Sequence, residues 1–150
     1  MKELIDEKDK KILEILKENS NLSSYKISKK TLIPVTTVNN RIKKLKKLGV
    51  IKKFTIEIDK GKLGFSLTAY ILINISIREL HGGNMTVRDL VRLIKRNPNI
   101  ESVDNVTGDV DIIAKISVGG INDLNDYVVN TLSGYKGVEK TKTALILTRD

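Results

Sequence analysis

The chain has 150 residues, 40% of them hydrophobic, which suffices for one domain or two small ones, and its lack of cysteine excludes disulfides, a thiol nucleophile and a cysteine metal site. No apolar run approaches the roughly 20 residues that cross a bilayer, and the polar N-terminal residues differ from a signal peptide, so we expect a cytoplasmic protein. The net charge of +9 is uneven, because residues 1–60 hold 16 Lys and Arg against 8 Asp and Glu, whereas residues 61–150 hold 11 against 10. A polyanion such as nucleic acid would therefore bind the first part of the chain and largely ignore the second.

Three helices are predicted in the first part of the chain. Asp6 can cap the first helix, with Asp9 in its first turn, and one of two adjacent serines can cap a second helix that buries Ile27. A turn over residues 31–34 then leads into a third helix within the basic stretch of residues 35–53. Three helices with a short turn before the last one are typical of a helix-turn-helix.

The third helix combines an apolar stripe with a basic exposed face. The stripe is formed at helical spacing by Val35, Val38, Ile42 and Leu45. Small polar residues occupy the first turns of the exposed face and cations its end, as in a recognition helix that reads bases and holds phosphates. The candidate DNA-binding residues are Thr36, Thr37, Asn40, Arg41, Lys43, Lys44 and Lys47. The alternative interpretation is a solvated, lysine-rich helix without a nucleic-acid partner.

A strand and a linker are predicted after this helix. Phe54, Ile56 and Ile58 alternate with polar residues, which predicts a strand of the kind that forms the wing of a winged helix. The segment that follows is polar and contains two glycines, which predicts a linker. The predicted domains are therefore a winged helix-turn-helix at residues 1–58, a linker at 59–65 and a second domain at 66–150.

The second domain alternates between extended and helical patterns. Helices are predicted after Thr86 and Gly120, and strands over residues 66–77, 100–107, 110–118 and 138–148, the middle two joined tightly through Gly108 and Asp109. The order βαββαβ predicts an α+β fold of the ferredoxin-like kind, with an antiparallel sheet and both helices on one face. Aliphatic residues on both alternations of the first strand predict that the uncovered face is buried against a second copy.

The only histidine, His81, lies in a predicted loop at residues 78–85. Because no second histidine and no cysteine can complete a metal site, we interpret it as a loop residue and expect no metal. Neither a catalytic group nor a cofactor is expected from this sequence.

Several stretches in both domains resemble one known family: residues 5–13, 36–38, 41–42, 48–52, 62–64 and 106–109, together with Leu45 and Asp111. They resemble the Lrp/AsnC (leucine-responsive, feast/famine) family of prokaryotic transcription regulators. The resemblance implies a winged helix-turn-helix followed by a ferredoxin-like RAM domain. Leu32 stands where that family usually has a glycine, and Pro34 stands where it usually has a capping serine. Proline is acceptable as a first helical residue, because its missing N–H would be unpaired there.

The resemblance also implies a DNA-binding dimer that assembles into tetramers or octamers and binds a small effector, typically an amino acid, between dimers. The effector-binding residues that it implies are Thr107, Gly108, Asp109 and Asp111. A tight turn there would project backbone N–H groups toward a carboxylate, and an aspartate could meet an ammonium. A plain hairpin turn needs the same residue types and is the alternative.

Three functions are compatible with the sequence. The first, which we favour, is a sequence-specific DNA-binding transcriptional regulator that responds to an amino acid or a related effector. The second is an enzyme, because sirohaem decarboxylases resemble this family, but one histidine and no cysteine leave few groups for acid-base or haem chemistry. The third is a non-specific DNA-compacting protein, which would use the same lysines without reading bases.

Overall fold

A computed structural model of the chain describes residues 4–147. The chain divides between Ile58 and Asp59 into two compact units, and each has its own hydrophobic core. We call residues 1–58 the N-terminal unit and residues 59–150 the C-terminal unit. Within residues 4–147, every helix is too short or too polar to cross a membrane.

The N-terminal unit folds as three helices, α1 (Glu7–Glu18), α2 (Ser24–Thr31) and α3 (Val35–Lys47). The predicted cap of α1 is formed, because the Asp6 carboxylate accepts from the Asp9 backbone N–H at 3.0 Å and the Asp9 carboxylate accepts from the Asp6 backbone N–H at 3.1 Å. Ser23 caps α2. The helices enclose a core formed by Ile12, Leu16, Ile27, Ile33 and Val38.

The turn between α2 and α3 contains a backbone conformation that usually requires glycine. Leu32 has φ 59° and ψ 19°, in the left-handed region, and its side chain is 91% exposed. Pro34 was expected to be the first residue of α3, but it is the N-cap, and α3 begins at Val35. Pro34 supplies no capping hydrogen bond. α3 therefore begins without the side-chain cap that most helices have.

The strand predicted over residues 54–58 is absent, so that prediction is wrong for the single chain. Residues 52–59 form neither helix nor strand. The described part of the N-terminal unit contains no strand that could pair with them, and a strand forms only against another strand. Phe54 and Ile56 are exposed as a result, and the Phe54 ring lies 4.6 Å from the Lys46 ammonium.

The C-terminal unit contains a four-stranded sheet within residues 59–147. Its elements in chain order are β1 (Leu67–Ile75), α4 (Ile77–Gly82), α5 (Val87–Lys95), β2 (Ile100–Asn105), β3 (Ile112–Val118), α6 (Ile121–Asn125) and β4 (Val138–Leu145). The strand order is β2-β3-β1-β4, and all neighbours are antiparallel. This is the ferredoxin-like order, so the predicted α+β fold is confirmed.

One face of the sheet packs against the helices and forms the core. Ala69, Ile71 and Ile73 of β1 are fully buried, as are Leu90 and Ile94 of α5. α6 continues into a π-helical turn and a 3-10 turn that also face this core. The other buried residues of the core are Ile100, Ile112, Ala114, Ile116, Val118, Leu124, Tyr127, Leu132 and Leu80.

The opposite face of the sheet is more polar than predicted. The residues of β1 that alternate with the buried ones are Thr68, Tyr70, Leu72 and Asn74. On β3, Lys115 lies beside Tyr70 and Ser117 lies beside Thr68. The apolar pattern predicted for β1 on this face is therefore limited to Tyr70 and Leu72, and Tyr70 is 41% exposed.

Glu101 ties the predicted linker to the sheet. Its carboxylate lies 2.8 Å from Lys60 Nζ and 3.2 Å from Lys115 Nζ, and it accepts a hydrogen bond from the Ser117 hydroxyl. Burial acts to raise the pKa of Glu101, but these three donors outweigh burial and lower the pKa to about 2. The segment of residues 59–65 thus packs as part of the C-terminal unit.

Three local predictions differ from the structure. α4 forms where a loop was predicted at residues 78–85, because a serine just before it caps its first turn, and α4 includes His81. β2 and β3 are joined by a loop of residues 106–111, which is longer than the predicted tight turn, because the last paired residues are Asn105 and Ile112. β4 ends at Leu145, and Thr148, the predicted end of the last strand, lies outside the described residues.

Candidate nucleic-acid interface

α3 presents a row of polar and basic side chains to solvent. Val38 and Leu45 on its opposite side are fully buried, which fixes the orientation of the helix. The exposed row contains residues three or four positions apart, which share one face of a helix, namely Thr36, Asn40, Lys43 and Lys47. At about 1.5 Å per residue the row is about 16 Å long. Thr37 is half-buried at its edge.

The two neighbouring asparagines of α3 have different environments. The side-chain oxygen of Asn39 accepts a hydrogen bond from the Ser24 hydroxyl, so Asn39 links α3 to α2. Asn40 has no such bond within residues 4–147, and its side chain is exposed. The Asn40 amide, with its donor and acceptor, is therefore available to an external partner.

Arg41, one of the predicted DNA contacts, is bound by the cap of α1. Its Nη1 donates to Asp6 Oδ1 at 2.6 Å and to Asp9 Oδ1 at 2.9 Å, and 21% of the Arg41 side chain is exposed. The guanidinium lowers the pKa of Asp6 to about 2, and Asp6 followed by Asp9 raises the pKa of Arg41. Arg41 thus ties α3 to α1.

Lys44, another predicted contact, shares the same acid. Its Nζ lies 3.0 Å from Asp9 Oδ2. Burial acts to raise the pKa of Asp9, but hydrogen bonds from the Asp6 backbone, Lys44 and Arg41 outweigh it, and the pKa is lowered. Lys43 and Lys47 form no ion pair within residues 4–147. The predicted cations therefore divide into two that are paired within the chain and two that are free in its described part.

Asp6 and Asp9 have a second role on this surface that sequence reasoning missed. They were predicted only to cap α1, and they also hold the cations of α3. One signal could have revealed this, because Arg41 is the single arginine among 16 basic residues in the first 60. A guanidinium suits a paired, partly buried site better than an ammonium does.

The four residues predicted to bind an effector lie in the loop between β2 and β3. Thr107, Gly108 and Asp109 are exposed, and Asp111 is half-buried. Gly108 has φ 129°. The Asp111 carboxylate accepts from the Ile75 backbone N–H at 2.9 Å, and the Asn74 amide donates to the Asp109 carbonyl oxygen at 2.8 Å. The end of β1 therefore holds the loop, and the Asp109 carboxylate is left without a partner in the described chain.

A groove of about 430 Å³ lies elsewhere in the C-terminal unit, between α6 and β4. It is lined by Ile121, Asn122, Leu124, Asn125, Val128, Thr143 and Leu145. Leu145 pairs with Ala69 at one end of the sheet, whereas the loop of residues 106–111 adjoins the Ile73–Ile112 pair at the other end. The groove and the predicted effector loop are thus separate places. No cluster of three or more potential metal ligands occurs within residues 4–147.

Two family profiles match consecutive parts of the chain. The winged helix-turn-helix DNA-binding family matches residues 5–52, which include α1, α2 and α3. The Lrp/AsnC ligand binding domain matches residues 68–149, which run from β1 to β4. The two matches follow the division into N-terminal and C-terminal units.

Whole-length relatives share this organisation. The chain is 41% identical over 143 residues to the uncharacterised HTH-type transcriptional regulator PF1734 of Pyrococcus furiosus, with 95% of this chain and 91% of the relative covered. It is 33% identical over 147 residues to the HTH-type transcriptional regulator FL11 of the same organism, with 98% and 92% covered.

Solved structures show the same fold over nearly the whole chain. LrpC of B. subtilis has a TM-score of 0.81 at 25% identity, with 97% of this chain and 96% of that chain covered. The transcriptional regulator NMB0573 of Neisseria meningitidis, solved in complex with L-Met, has a TM-score of 0.83 at 23% identity, with 96% and 90% covered, and it shows a shared fold alone. From the profile over more than half of its length and from these relatives, the chain belongs to the Lrp/AsnC family of transcriptional regulators.

Proposed function

We propose that this protein regulates transcription by recognising a specific DNA sequence with the exposed face of α3. The observation that carries the proposal is the order of free groups along that face. The polar side chains of Thr36 and Asn40 come first, and the ammonium groups of Lys43 and Lys47, which form no ion pair within the described residues, follow. In a helix-turn-helix, side chains in the first turns of the recognition helix reach base edges, and cations contact phosphates.

The base-reading groups in this proposal are Asn40 and the two threonines. An asparagine amide can pair with both N6 and N7 of adenine, and a threonine methyl can pack on the thymine methyl. Asn40 is preferred over Asn39 because Ser24 already occupies the Asn39 side chain. Thr36 is exposed and Thr37 lies beside it, half-buried, so both can border the same groove.

The phosphate contacts in this proposal are Lys43 and Lys47, with a smaller part for Lys44. The Lys44 ammonium is 3.0 Å from Asp9, so a phosphate would have to compete with a buried carboxylate for it. Arg41 is assigned as a positioning residue, because its guanidinium is bound by Asp6 and Asp9. Of the seven predicted DNA-binding residues, this assignment removes Arg41 from the direct contacts and gives Lys44 a minor one.

We infer that two copies associate through the uncovered face of the sheet and that such dimers assemble further into tetramers or octamers. That face carries Tyr70, which is 41% exposed, next to Leu72 and Ile113, whereas the other face is covered by helices. A two-fold dimer would present two copies of α3 to two half-sites of a palindromic operator.

We also propose that an amino acid or a related small molecule binds at the loop of residues 106–111 and changes the assembly. The C-terminal unit matches a ligand binding domain, and a structural relative was solved with L-Met. Within the loop, the Asp109 carboxylate has no partner among residues 4–147 and could meet an ammonium, and exposed Thr107 and Gly108 could meet a carboxylate. Asp111 is then a positioning residue, because it is bound to the Ile75 N–H.

The relatives are transcriptional regulators, so the regulator is preferred to the two alternatives, a decarboxylase and a DNA-compacting protein. We accordingly propose a non-enzymatic, cytoplasmic protein without a cofactor. Visible absorbance of the purified protein separates it from a haem-binding enzyme, because the regulator has no absorbing group and is expected to give none.

The deciding experiment selects bound sequences from a random DNA pool and then measures competition between the selected site and scrambled DNA. A regulator should prefer its site by a factor of about a thousand or more at physiological salt. Equal competition by scrambled DNA would instead indicate a DNA-compacting protein that uses the same lysines.

A further inference from the structure

The outer face of α5 carries a row of arginines that the proposed function does not use. We call this row the arginine stripe, and it consists of Arg88 and Arg92 within α5 and Arg96 at its C-cap, all exposed. Leu90 and Ile94, on the opposite side of α5, are fully buried. Residues four positions apart lie on one side of a helix with a rise of about 6 Å between them, so the stripe is about 12 Å long.

The choice of arginine distinguishes this surface from the rest of the chain. Residues 1–60 hold 15 lysines and one arginine, whereas four of the six arginines in the chain fall within residues 78–96. A guanidinium presents paired N–H donors that match phosphate or carboxylate oxygens, whereas an ammonium is a strongly hydrated point charge. A helix that needed cations only for solubility would not require this side chain three times on one face.

Stability of the helix does not explain the arginine stripe. Cations are favourable at the C-terminal end of a helix, which accounts for Arg92 and Lys95 and also for Arg96 at the C-cap. Arg88, however, is the second residue of α5, where the helix dipole disfavours a positive charge. The position of Arg88 therefore points to an external anion.

Pairing within the chain does not explain it either. Arg88 and Arg96 form no ion pair within residues 4–147, and Arg92 reaches Asp89 only at 3.4 Å, with both side chains exposed. Lys95 is different, because its ammonium donates to the carbonyl oxygens of Ile100 and Glu101. Arg88 and Arg96 are consequently available in the described chain, and Arg92 is held only by an exposed contact with Asp89, while the lysine beside them is already bound.

The net charge of the C-terminal unit is near zero, so it does not indicate the local positive charge of the arginine stripe. Residues 76–98 hold five basic residues against two acidic ones, whereas residues 99–126 hold six acidic residues against one lysine. Charges are thus separated along the chain, and the expectation that a polyanion would ignore the second part of the chain overlooks its local surplus.

We propose that the arginine stripe is a second, sequence-independent contact to the phosphates of the DNA that α3 recognises. This inference rests on the proposed function, which brings DNA to the same molecule. A row of cations about 6 Å apart fits a repeating polyanion better than it fits a single carboxylate ligand. The stripe would contact DNA that flanks the operator, adding affinity and salt dependence without adding sequence preference.

The test uses the full-length protein and two DNA fragments, one trimmed to the protected operator and one extended on both sides by unrelated sequence. The variant Arg88→Gln/Arg92→Gln/Arg96→Gln removes the stripe and keeps good helix formers on an exposed face. The matched control, Lys62→Gln/Arg78→Gln/Lys136→Gln, removes the same charge from other exposed positions of the same unit. Circular dichroism confirms that both variants are folded.

On the extended fragment, we expect the stripe variant to bind tenfold or more weakly, with a salt dependence reduced by about two to three units of log K per log salt. On the trimmed fragment its affinity should match wild type, and the control variant should change little on either. Replacing all three arginines with lysine should keep most of the salt dependence, because the charge is retained.

Equal salt dependence of the stripe variant and the control on the extended fragment would overturn the proposal. A changed particle mass in light scattering with unchanged DNA binding would also overturn it, by indicating a protein contact. The variant Lys43→Gln/Lys47→Gln should lower the affinity for both fragments alike, whereas the stripe variant should lower it only for the extended fragment. The two kinds of loss are therefore distinguishable. Failure of the wild type to bind either fragment would reject the proposed function, and the stripe contact with it.

Discussion

Asn40 is the residue on which sequence readout depends most in the proposed interface. It is exposed, and no group within residues 4–147 uses its amide. We expect Asn40→Ala to cost roughly 1–3 kcal/mol of binding free energy at the preferred operator and much less on random DNA, because only the operator offers the matching base edge. Fluorescence anisotropy titrations with both DNAs measure the difference.

The matched control is Asn39→Ala, which removes the same side chain one position earlier. Because Asn39 is bound to Ser24, its loss should affect both DNAs to the same small extent. Equal losses on operator and random DNA for Asn40→Ala would show that Asn40 positions the protein and does not read a base.

Leu32 stores backbone strain in the turn that precedes α3. Its φ of 59° lies in the left-handed region, and its 91% exposed side chain contributes little packing. We expect Leu32→Gly to raise the free energy of unfolding by about 1 kcal/mol, because relief of the side-chain clash outweighs the extra freedom of glycine in the unfolded chain. Urea denaturation followed by circular dichroism measures this change.

Asn84 provides the comparison, because it is the other non-glycine residue with positive φ among residues 4–147, at 54°. Asparagine tolerates that conformation, so Asn84→Gly should change stability little. A Leu32→Gly protein less stable than wild type would mean that the strain is smaller than the cost of ordering glycine.

At the scale of elements, α3 is held against α1 by one part of its basic surface and left free in another. We expect Lys43→Gln/Lys47→Gln to lower the salt dependence of DNA binding by about two units, since each phosphate contact releases close to one counterion. Arg41→Gln should leave the salt dependence nearly unchanged and lower the urea midpoint, because it leaves the buried Asp9 carboxylate with one cation fewer. Salt titrations of affinity and urea denaturation together separate the two roles.

A reduced salt dependence in Arg41→Gln, with unchanged stability, would return Arg41 to the DNA interface. Arg41→Lys is the useful companion variant. A lysine keeps the charge but cannot reproduce the guanidinium contacts with both Asp6 and Asp9, so it should restore stability only in part.

At the scale of the whole molecule, the uncovered sheet face predicts at least a dimer. We expect the full-length protein to be dimeric or larger at micromolar concentration by light scattering. Tyr70→Glu should weaken this association, because it places a carboxylate on the face that would be buried between the two copies. Ile121→Glu, at an exposed apolar residue outside that face, is the control and should leave the mass unchanged. A monomeric wild type would contradict the proposed assembly.

Effector binding also belongs to the whole molecule, because a ligand shifts assembly only if it binds one oligomeric state better than another. We expect Asp109→Ala to abolish an amino-acid-dependent change in particle mass while leaving dimer formation and operator affinity intact. Calorimetric titration with the common amino acids, followed by light scattering, measures both. No heat and no change in mass for any of them in the wild type would leave the loop as a structural turn.

The sequence alone predicted five of the six α-helices within residues 4–147, with α4 as the exception, and the order of the four strands of the sheet. The start of a helix is a local signal: Asp6 caps α1 as predicted, and α5 begins directly after Thr86 as predicted. Apolar periodicity and element order were enough for the ferredoxin-like sheet, because side chains within a few positions decide whether a segment is helical or extended. The predicted strand ends and the predicted turn between β2 and β3 were less accurate, since both depend on where strand pairing stops.

Only the tertiary structure decided which polar residues of α3 are free and which part of the chain pairs as a strand. Arg41 and Lys43 were both predicted to contact DNA, yet Arg41 meets a carboxylate 35 positions away, whereas Lys43 meets none in the described chain. The segment of residues 54–58 has a strand pattern, but the described part of its unit offers no neighbouring strand. Ion pairs and strand pairing join residues that are distant in the chain, so they depend on packing that no local pattern contains.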